Sequence, residues 1–475
     1  MSHAHPTLHA EHAPAPPVPC RWLLLALLCV AQFMLILDVT VVNVALPDMA
    51  ADLRLGREAL TWAVTAYTLC FGGLMLLGGR LADALGAHRT VLAGLAVFTS
   101  ASLVTGLATG APMLMSGRGL QGVGAALLSP AALSIVTTSF DGAERNKALG
   151  VWAALGGTGS AAGVLLGGAL ADGPGWRWVF FVNVPVGAVA LAVLPALLPR
   201  RAAQRARLDL PGAALVTAGT ASLIYGLVRA GDAGWASATA VLPLLGALVL
   251  YAAFAAVERA GRAPLMDLRM FTRRPVVAGA FLMLVATALL IGFFFLGSVY
   301  LQHLRGYSPL ATGLVFLPVA VATGFGAHLG SQLVGRIGSR TTAVAGLAAT
   351  TAGTAPLAWL PADGSVYTRL LPGLALASLG IGAVFVTAII TALALVAPQE
   401  AGLASGVVNT FHEVGGSIGV AVLSTVAASG IEHGAADGFT SAFTLSAITA
   451  AASALIALVL VPHTKPQSTG GPHAH

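Results

Sequence analysis

Gly79-Arg80-Leu81-Ala82-Asp83-Ala84-Leu85-Gly86-Ala87-His88-Arg89 separates two long apolar runs by a short charged turn. A related turn, Ser331-Gln332-Leu333-Val334-Gly335-Arg336-Ile337-Gly338-Ser339-Arg340, separates two others much later in the chain. Gly86 lies 64 residues after Trp22 and Gly338 lies 63 after Pro275, so each turn sits at the same depth in its own stretch. That symmetry divides the chain into two similar parts. A parallel repeat of this kind is a transporter architecture, with the binding site near the bilayer midplane between the parts.

The rest of the sequence agrees with lipid as the solvent. Of 475 residues, 57% are hydrophobic and only 9% are charged, against about 25% charged in a typical soluble domain. Fourteen apolar windows, from 22–46 to 438–461, mostly run about 20 residues or more, the length of a membrane-crossing helix. None shows the alternation of a barrel strand. The expected fold class is therefore an all-α integral membrane protein. Its N-terminal six-helix half spans 22–198 and its C-terminal half 275–461, with an inserted helix pair and flanking loops in 199–274. Residues 1–21 form a disordered tail and 462–475 a second tail. Of the 24 basic residues, 17 fall in segments on the side of the two tails, six fall opposite, and Arg118 lies within a helix. The positive-inside rule then puts both termini in the cytoplasm.

Several function classes are excluded. The only two lysines, Lys147 after Asn146 and Lys465 after Thr464, fit no phosphate-binding Gly-Lys-Ser/Thr loop, so no nucleotide is expected. The net charge of +6 is spread over short loops, which reads as topology and not as a nucleic-acid surface. Cys20, Cys29 and Cys70 are too few for a disulfide framework or a zinc site. The histidines of the two tails are read as unstructured and not as a metal site. Residues 1–21 are polar and Pro-rich, unlike a cleavable signal. No cofactor is expected, only a proton gradient, with a small-molecule substrate, protons and membrane lipids as partners.

Five phrases carry a resemblance. Gly79 to Arg89 is similar to G-x-L-a-D-r-x-G-r-k, with Ala84 in place of an arginine. Leu114-Met115-Ser116-Gly117-Arg118-Gly119-Leu120-Gln121-Gly122-Val123-Gly124-Ala125-Ala126 fits L-x-x-x-R-x-x-Q-G-x-G-A-A throughout. Leu37-Asp38-Val39-Thr40-Val41-Val42-Asn43-Val44-Ala45-Leu46-Pro47, Trp176-Arg177-Trp178-Val179-Phe180-Phe181-Val182-Asn183-Val184-Pro185 and Tyr307-Ser308-Pro309-Leu310-Ala311-Thr312-Gly313 complete the set. Together, and end to end, they resemble the major facilitator superfamily and, within it, the fourteen-helix drug:proton antiporters. The resemblance implies multidrug or antibiotic efflux and antibiotic resistance, driven by the proton motive force. Gly159-Ser160-Ala161-Ala162-Gly163-Val164-Leu165-Leu166-Gly167-Gly168 is similar to the antiporter signature G-x-x-x-G-P-x-x-G-G, with Val164 in place of its proline.

Individual residues take expected roles. Arg118 sits in an apolar helix, where an uncompensated arginine costs about 2.5–3.5 kcal/mol, so it must meet an acceptor inside the bundle. Asp38, within the first helix, is the expected partner and proton carrier, set against a purely structural ion pair. Glu413, beside His412 in the thirteenth window, is either a second proton or cation site or a solvated acid near a helix end. Gly159, Gly163 and Gly167, with Gly168, allow close helix approach; with Gly79, Asp83 and Gly86 they are assigned to conformational gating. In the resemblance Asp83 holds the cytoplasmic side closed. Gln121 and Asn43 are assigned to the substrate pocket.

The chain is thus expected to be a transporter and not an enzyme, exporting amphipathic drugs or an antibiotic across the bacterial inner membrane by alternating access. In the expected cycle a proton from outside neutralises Asp38, substrate leaves, and the inward return releases the proton. The alternatives are a solute:proton uptake symporter or, from another class, a membrane-embedded enzyme or sensor, which would need a catalytic constellation or a signalling domain.

Overall fold

The computed structural model describes residues 18–55, 57–198, 210–260, 268–359, 365–394, 396, 400–433 and 436–463, and the described residues contain helices and no strand. Residues 1–17 and residues 199–209, with Arg200, Arg201, Arg205 and Arg207, lie outside them. Helices suit this composition because lipid offers no partner to a backbone N–H or C=O, and only a helix closes those bonds within one segment.

The helices are α1 (Val18–Leu53), α2 (Arg57–Leu85), α3 (Ala87–Gly106), α4 (Ala111–Ser139), α5 (Gly142–Asp172), α6 (Trp178–Phe181), α7 (Asn183–Leu197), α8 (Leu210–Ala233) and α9 (Ala238–Ala260). There follow α10 (Arg274–Val299), α11 (Pro309–Ile337), α12 (Ser339–Thr354), α13 (Leu371–Leu393), α14 (Ala401–His433) and α15 (Ala436–Leu460). Among the described residues, eleven helices have the length and apolar composition to cross a membrane. The multi-pass character expected from the sequence holds.

Local chemistry sets the breaks. Gly86, between α2 and α3, has φ 93°, and Gly338, between α11 and α12, has φ 85°. Both are in the left-handed region that a side chain disfavours, so the two related turns share the same backbone device. Ser308 caps α11 by accepting from the Ala311 N–H at 3.2 Å, with Pro309 in the first turn. The Ser-Pro pair of that phrase is therefore a helix start.

In the first part of the chain, α2 packs on α4, α3 on α4 and α7, and α1 on α5; in the last, α10 packs on α13 and α14, α11 on α13, and α12 on α13 and α15. Between these groups α5 crosses α11 and α2 crosses α14. Helix α8 lies against α2, α9 and α14, whereas α9 has α8 as its main neighbour.

Side-chain contacts place the helix ends on two faces. On one, the Trp22 and Phe140 rings meet at 5.2 Å, Arg145 donates to the Leu393 carbonyl at 2.7 Å, Arg273 pairs with Glu400 at 3.3 Å, and Arg340 donates to the Val461 carbonyl at 2.8 Å. This face carries both ends of the described chain. On the opposite face the Trp176 indole donates to Asp52 at 3.0 Å and Arg177 pairs with the same carboxylate. These donors hold the Asp52 carboxyl below its usual range. The Trp-Arg phrase is thus a latch between the end of α1 and the turn before α6.

Candidate functional site

Asp38 and Glu413 both lie inside the bundle, and they differ in kind. The first is sealed. Asp38 is 0% exposed and Arg118 is 1% exposed, and the two form an ion pair. The guanidinium also donates from Nε to the Ala63 carbonyl at 2.9 Å and from Nη1 to Gln121 Oε1 at 3.0 Å. Its carbon lies 4.4 Å from the centre of the Tyr67 ring. Asp38 in turn accepts from Gln121 Nε2 at 2.9 Å and from Asn183 Nδ2 at 3.1 Å. Gln121 donates a second bond to Ser102 Oγ at 2.8 Å.

Each member has a local reason to be there. Arg118 and Gln121 are three residues apart on α4 and therefore share a face. Gly117 gives that face room against α3, because a Cβ there would strike the Thr105 side chain. Asp38 reaches them from the middle of α1. Asn183, the first residue of α7, closes the ring from the far end of the Trp-Arg phrase. Burying a carboxylate and a guanidinium is tolerable only when geometry is good and the remaining donors and acceptors are met. This network meets that condition. All its members lie in the first part of the chain, on α1, α2, α3, α4 and α7.

The expected partnership of Asp38 with Arg118 is present in the geometry. Gln121, expected in the substrate pocket, is placed elsewhere: it is fully buried in the network and is not among the described residues that line the cavity. A carboxylate deprived of water needs donors, and Gln121 supplies one from the next turn of the arginine's own helix. The side chain of Asn43 lies outside the described residues, as do Val164 and Gly168. Asn183 and Ser102 were not singled out from the sequence. The signal was present for Asn183, an amide at the head of an apolar run and inside a quoted phrase. Ser102 had none.

The second acidic position is open. A cavity of about 560 Å³ lies between the two helix groups, with walls from α1, α2, α4, α5, α8, α10, α13 and α14. Glu413 and His412 are both in its wall. Glu413 is the twelfth residue after the start of α14, about 18 Å along it at 1.5 Å per residue. The reading of a solvated acid near a helix end therefore does not hold. Its side chain is 20% exposed, and its Oε1 lies 3.9 Å from His412 Nε2. The imidazole is positioned by Thr287, whose hydroxyl lies 3.1 Å from Nδ1, and by an edge-on contact with Phe385 at 5.4 Å. Among the described lining residues Glu413 is the one carboxylate, and there is no lysine or arginine. Trp152, Phe71, Phe295 and Phe385 supply aromatic surface. Gln32 Oε1 and Asn409 Nδ2, both on lining residues, have no hydrogen-bond partner among the described residues. Such a mix of apolar wall and a few convergent polar groups is that of a small-molecule site.

Toward the face that carries Trp22 and Val461 the cavity is closed by glycine-mediated contact. A Cβ at Gly79 would run into the Gly402 carbonyl, and Gly406 Cα is 3.2 Å from it. Asp83 Oδ1 accepts from the Gly402 N–H at 2.8 Å and Oδ2 from the Leu403 N–H at 2.7 Å. A carboxylate at a helix N-terminus meets unsatisfied N–H groups and the positive end of the helix dipole. Asp83 is thus a cap on α14 supplied by α2. Gly159 stands against Ile36 of α1, with its built Cβ 2.6 Å from the Ile36 methyl. Gly163 and Gly167 are also buried along α5. Gly415 and Gly419 bring α14 onto α10 at Leu284 and Ala288.

Among the described residues no group of three His, Cys, Asp or Glu is placed to hold a metal ion. His3, His5, His9, His12, His473 and His475 of the tails lie outside them.

Comparison with known proteins places this geometry in a family. The Major Facilitator Superfamily description matches residues 28–420. The chain is 43% identical over 417 residues to the puromycin resistance protein pur8 of Streptomyces alboniger, covering 86% of this chain and 82% of that one. It is 40% identical to the cephamycin export protein CmcT of Amycolatopsis lactamdurans (86% and 85% covered). It is 38% identical to the lincomycin resistance protein of Streptomyces lincolnensis (93% and 92% covered). Among solved structures, the human organic anion transporter MFSD10 superposes with a TM-score of 0.67 at 15% identity, covering 93% of this chain and 100% of that one. The proton:xylose symporter XylE does so with a TM-score of 0.67 at 14% identity, covering 94% and 97%. These likenesses concern the fold alone. A multi-pass helical bundle with a central cavity, a family match over most of its length and long, well-covered relatives lead to one conclusion: the chain belongs to the major facilitator superfamily and is a transporter, not an enzyme.

Proposed function

We propose that the protein exports amphipathic drugs or an antibiotic in exchange for protons, across a bacterial inner membrane, with both termini in the cytoplasm. Fourteen helices cross the bilayer: two six-helix halves, 22–198 and 275–461, and the pair α8–α9 between them. The relatives named for resistance to puromycin and lincomycin and for export of cephamycin support the direction of transport. The 17-to-6 division of basic residues supports the topology. On that topology the closed face at Gly79, Asp83 and Gly402 is cytoplasmic, and the structure corresponds to the outward state.

The observation that carries the mechanism is the pairing of a sealed acid–base network with an open acid in the cavity. Asp38 ionised holds α1, α4 and α7 together through Arg118, Gln121 and Asn183. Asp38 neutral loses the ion pair, so protonation weakens the network and releases the helices it joins. Glu413 faces the cargo, where a basic group of the substrate and a proton would compete for the same carboxylate. Gln121 and Asn183 act as positioning groups for Asp38. Uptake by symport has no observation of its own here.

The test is proton release on addition of puromycin or tetraphenylphosphonium to the purified chain in liposomes. The native protein should release protons and accumulate the drug when a proton gradient is imposed. Asp38→Asn should bind drug but fail to accumulate it. Wild-type proton movement in Asp38→Asn would make Asp38 structural and transfer the coupling role to Glu413.

A further inference from the structure

We propose that α8, from the pair inserted between the halves, forms a wall of the transport cavity and contacts the apolar part of the cargo. The inference rests on reading the cavity as the transport site.

Three observations support it. First, α8 packs on both α2 and α14, the helices that meet at the closed face. Near the closed face these helices touch directly at Gly79, Gly402 and Gly406. Farther along, α8 lies close to each: a Cβ at Gly73 of α2 would be 3.2 Å from Ala221 Cβ, and a Cβ at Gly231 of α8 would be 3.5 Å from Ala421 Cα of α14. Secondly, Ile224, Leu227, Val228 and Gly231 all line the cavity. They lie at i, i+3, i+4 and i+7, one face of a helix. Thirdly, α8 reaches the acid. Gly72 of α2 has no side chain, and a Cβ there would strike Ile224 Cδ1 and lie 3.4 Å from Glu413 Cβ. One glycine thus seats both the α8 isoleucine and the stem of the cavity carboxylate.

The seal continues toward the opposite face. The Trp62 ring of α2 stacks on Tyr225 of α8 at 6.2 Å, and the indole of Trp235, in the turn to α9, donates to Thr425 of α14 at 3.0 Å. By contrast α9 presents Leu242, Leu245, Leu248 and Val249 outward, each at least half exposed. Lipid therefore meets α9, whereas the cargo meets α8. The ligand class follows from what the wall brings together: a basic group at Glu413 and an aliphatic or aromatic body a few ångströms away, against Ile224, Leu227 and Val228. A change of side-chain size at Val228 should alter which body fits, while the acid is left intact.

The experiment adds one cysteine, at Val228 or at Gly231, to the full chain in lipid nanodiscs, where both faces are accessible. Leu248→Cys on α9 is the lipid-facing control and the native chain is the blank. A small charged methanethiosulfonate should modify Val228→Cys and Gly231→Cys rapidly and Leu248→Cys slowly. Tetraphenylphosphonium should slow modification at 228, and modified Val228→Cys should lose binding of that cation on the order of tenfold, the scale of a one-methylene misfit in an apolar pocket. Equal labelling of 228 and 248 would overturn the wall, whatever the chain transports. Labelling at 228 with unchanged cation binding would overturn its contact with the cargo. If the native chain neither binds nor accumulates cations while 228 and 231 still react, the export reading falls and the wall stands.

Discussion

Removing Arg118 tests the sealed network most directly. Arg118→Ala deletes the countercharge of a carboxylate that is 0% exposed. Breaking a buried pair from one side costs about 3–5 kcal/mol, because the remaining charge is left uncompensated. The Ala63 carbonyl keeps its helical donor four residues on, so its loss adds little, about 1 kcal/mol or less. The contact with Tyr67 adds about 0.5–2 kcal/mol. Asp38 retains the donors of Gln121 and Asn183, which moderates the loss. The expected total is about 4 kcal/mol, enough to lower the unfolding midpoint in detergent clearly. The double variant Asp38→Asn/Arg118→Ala removes the orphaned charge as well, and neutral replacement of a buried pair is often nearly free. It should therefore regain stability over Arg118→Ala while remaining inactive in drug-driven proton release. The assay is a double-mutant cycle on unfolding midpoints, with transport measured in parallel. A double variant no more stable than Arg118→Ala would refute the electrostatic account, since the arginine would then matter for its packing alone.

Other perturbations read other parts of the molecule. Asp83→Asn keeps one acceptor oxygen and loses one of the two bonds to α14, so it should weaken the cap by about 1 kcal/mol; distances between labels on α2 and α14 should shift toward the open state, and an unchanged distribution would remove Asp83 from gating. Gly79→Val places a Cβ against the Gly402 carbonyl, so closure should fail and transport cease in a protein that still folds; normal transport would show that α2 and α14 need not meet. The Asp52 carboxyl is held below its usual range by Trp176 and Arg177. Its contribution is therefore present above the unfolded-state pKa and lost as pH falls through the lower folded value. Asp52→Asn should flatten the acid side of the midpoint-against-pH curve, and an unaltered slope would deny the latch.

Much of this was legible in the order of residues because lipid enforces strict rules. An apolar run long enough to cross hydrocarbon becomes a helix, and an arginine inside it has to find an acceptor. Helix class, the related turns at Gly86 and Gly338, and the partnership of Asp38 with Arg118 follow from those rules and from local spacing. What the order of residues could not decide were meetings between distant helices. Asn183 is 145 positions from the carboxylate it bonds, and no periodicity links them. Gln121 carries a polar side chain on an apolar helix whichever way it faces, and only the approach of α1 to α4 turned it into a donor for Asp38 in place of a cavity group. Glu413 could have been a solvated acid until the depth of α14 in the bundle was known. The position of α8 is the clearest case. Its apolar face would suit lipid or a neighbouring helix equally well, because hydrophobicity carries no address. Gly72 and Gly73 of α2 admit α8 at Ile224 and Ala221, Gly231 of α8 admits Ala421 of α14 farther along, and this packing, a property of shape alone, made an inserted helix part of the cavity.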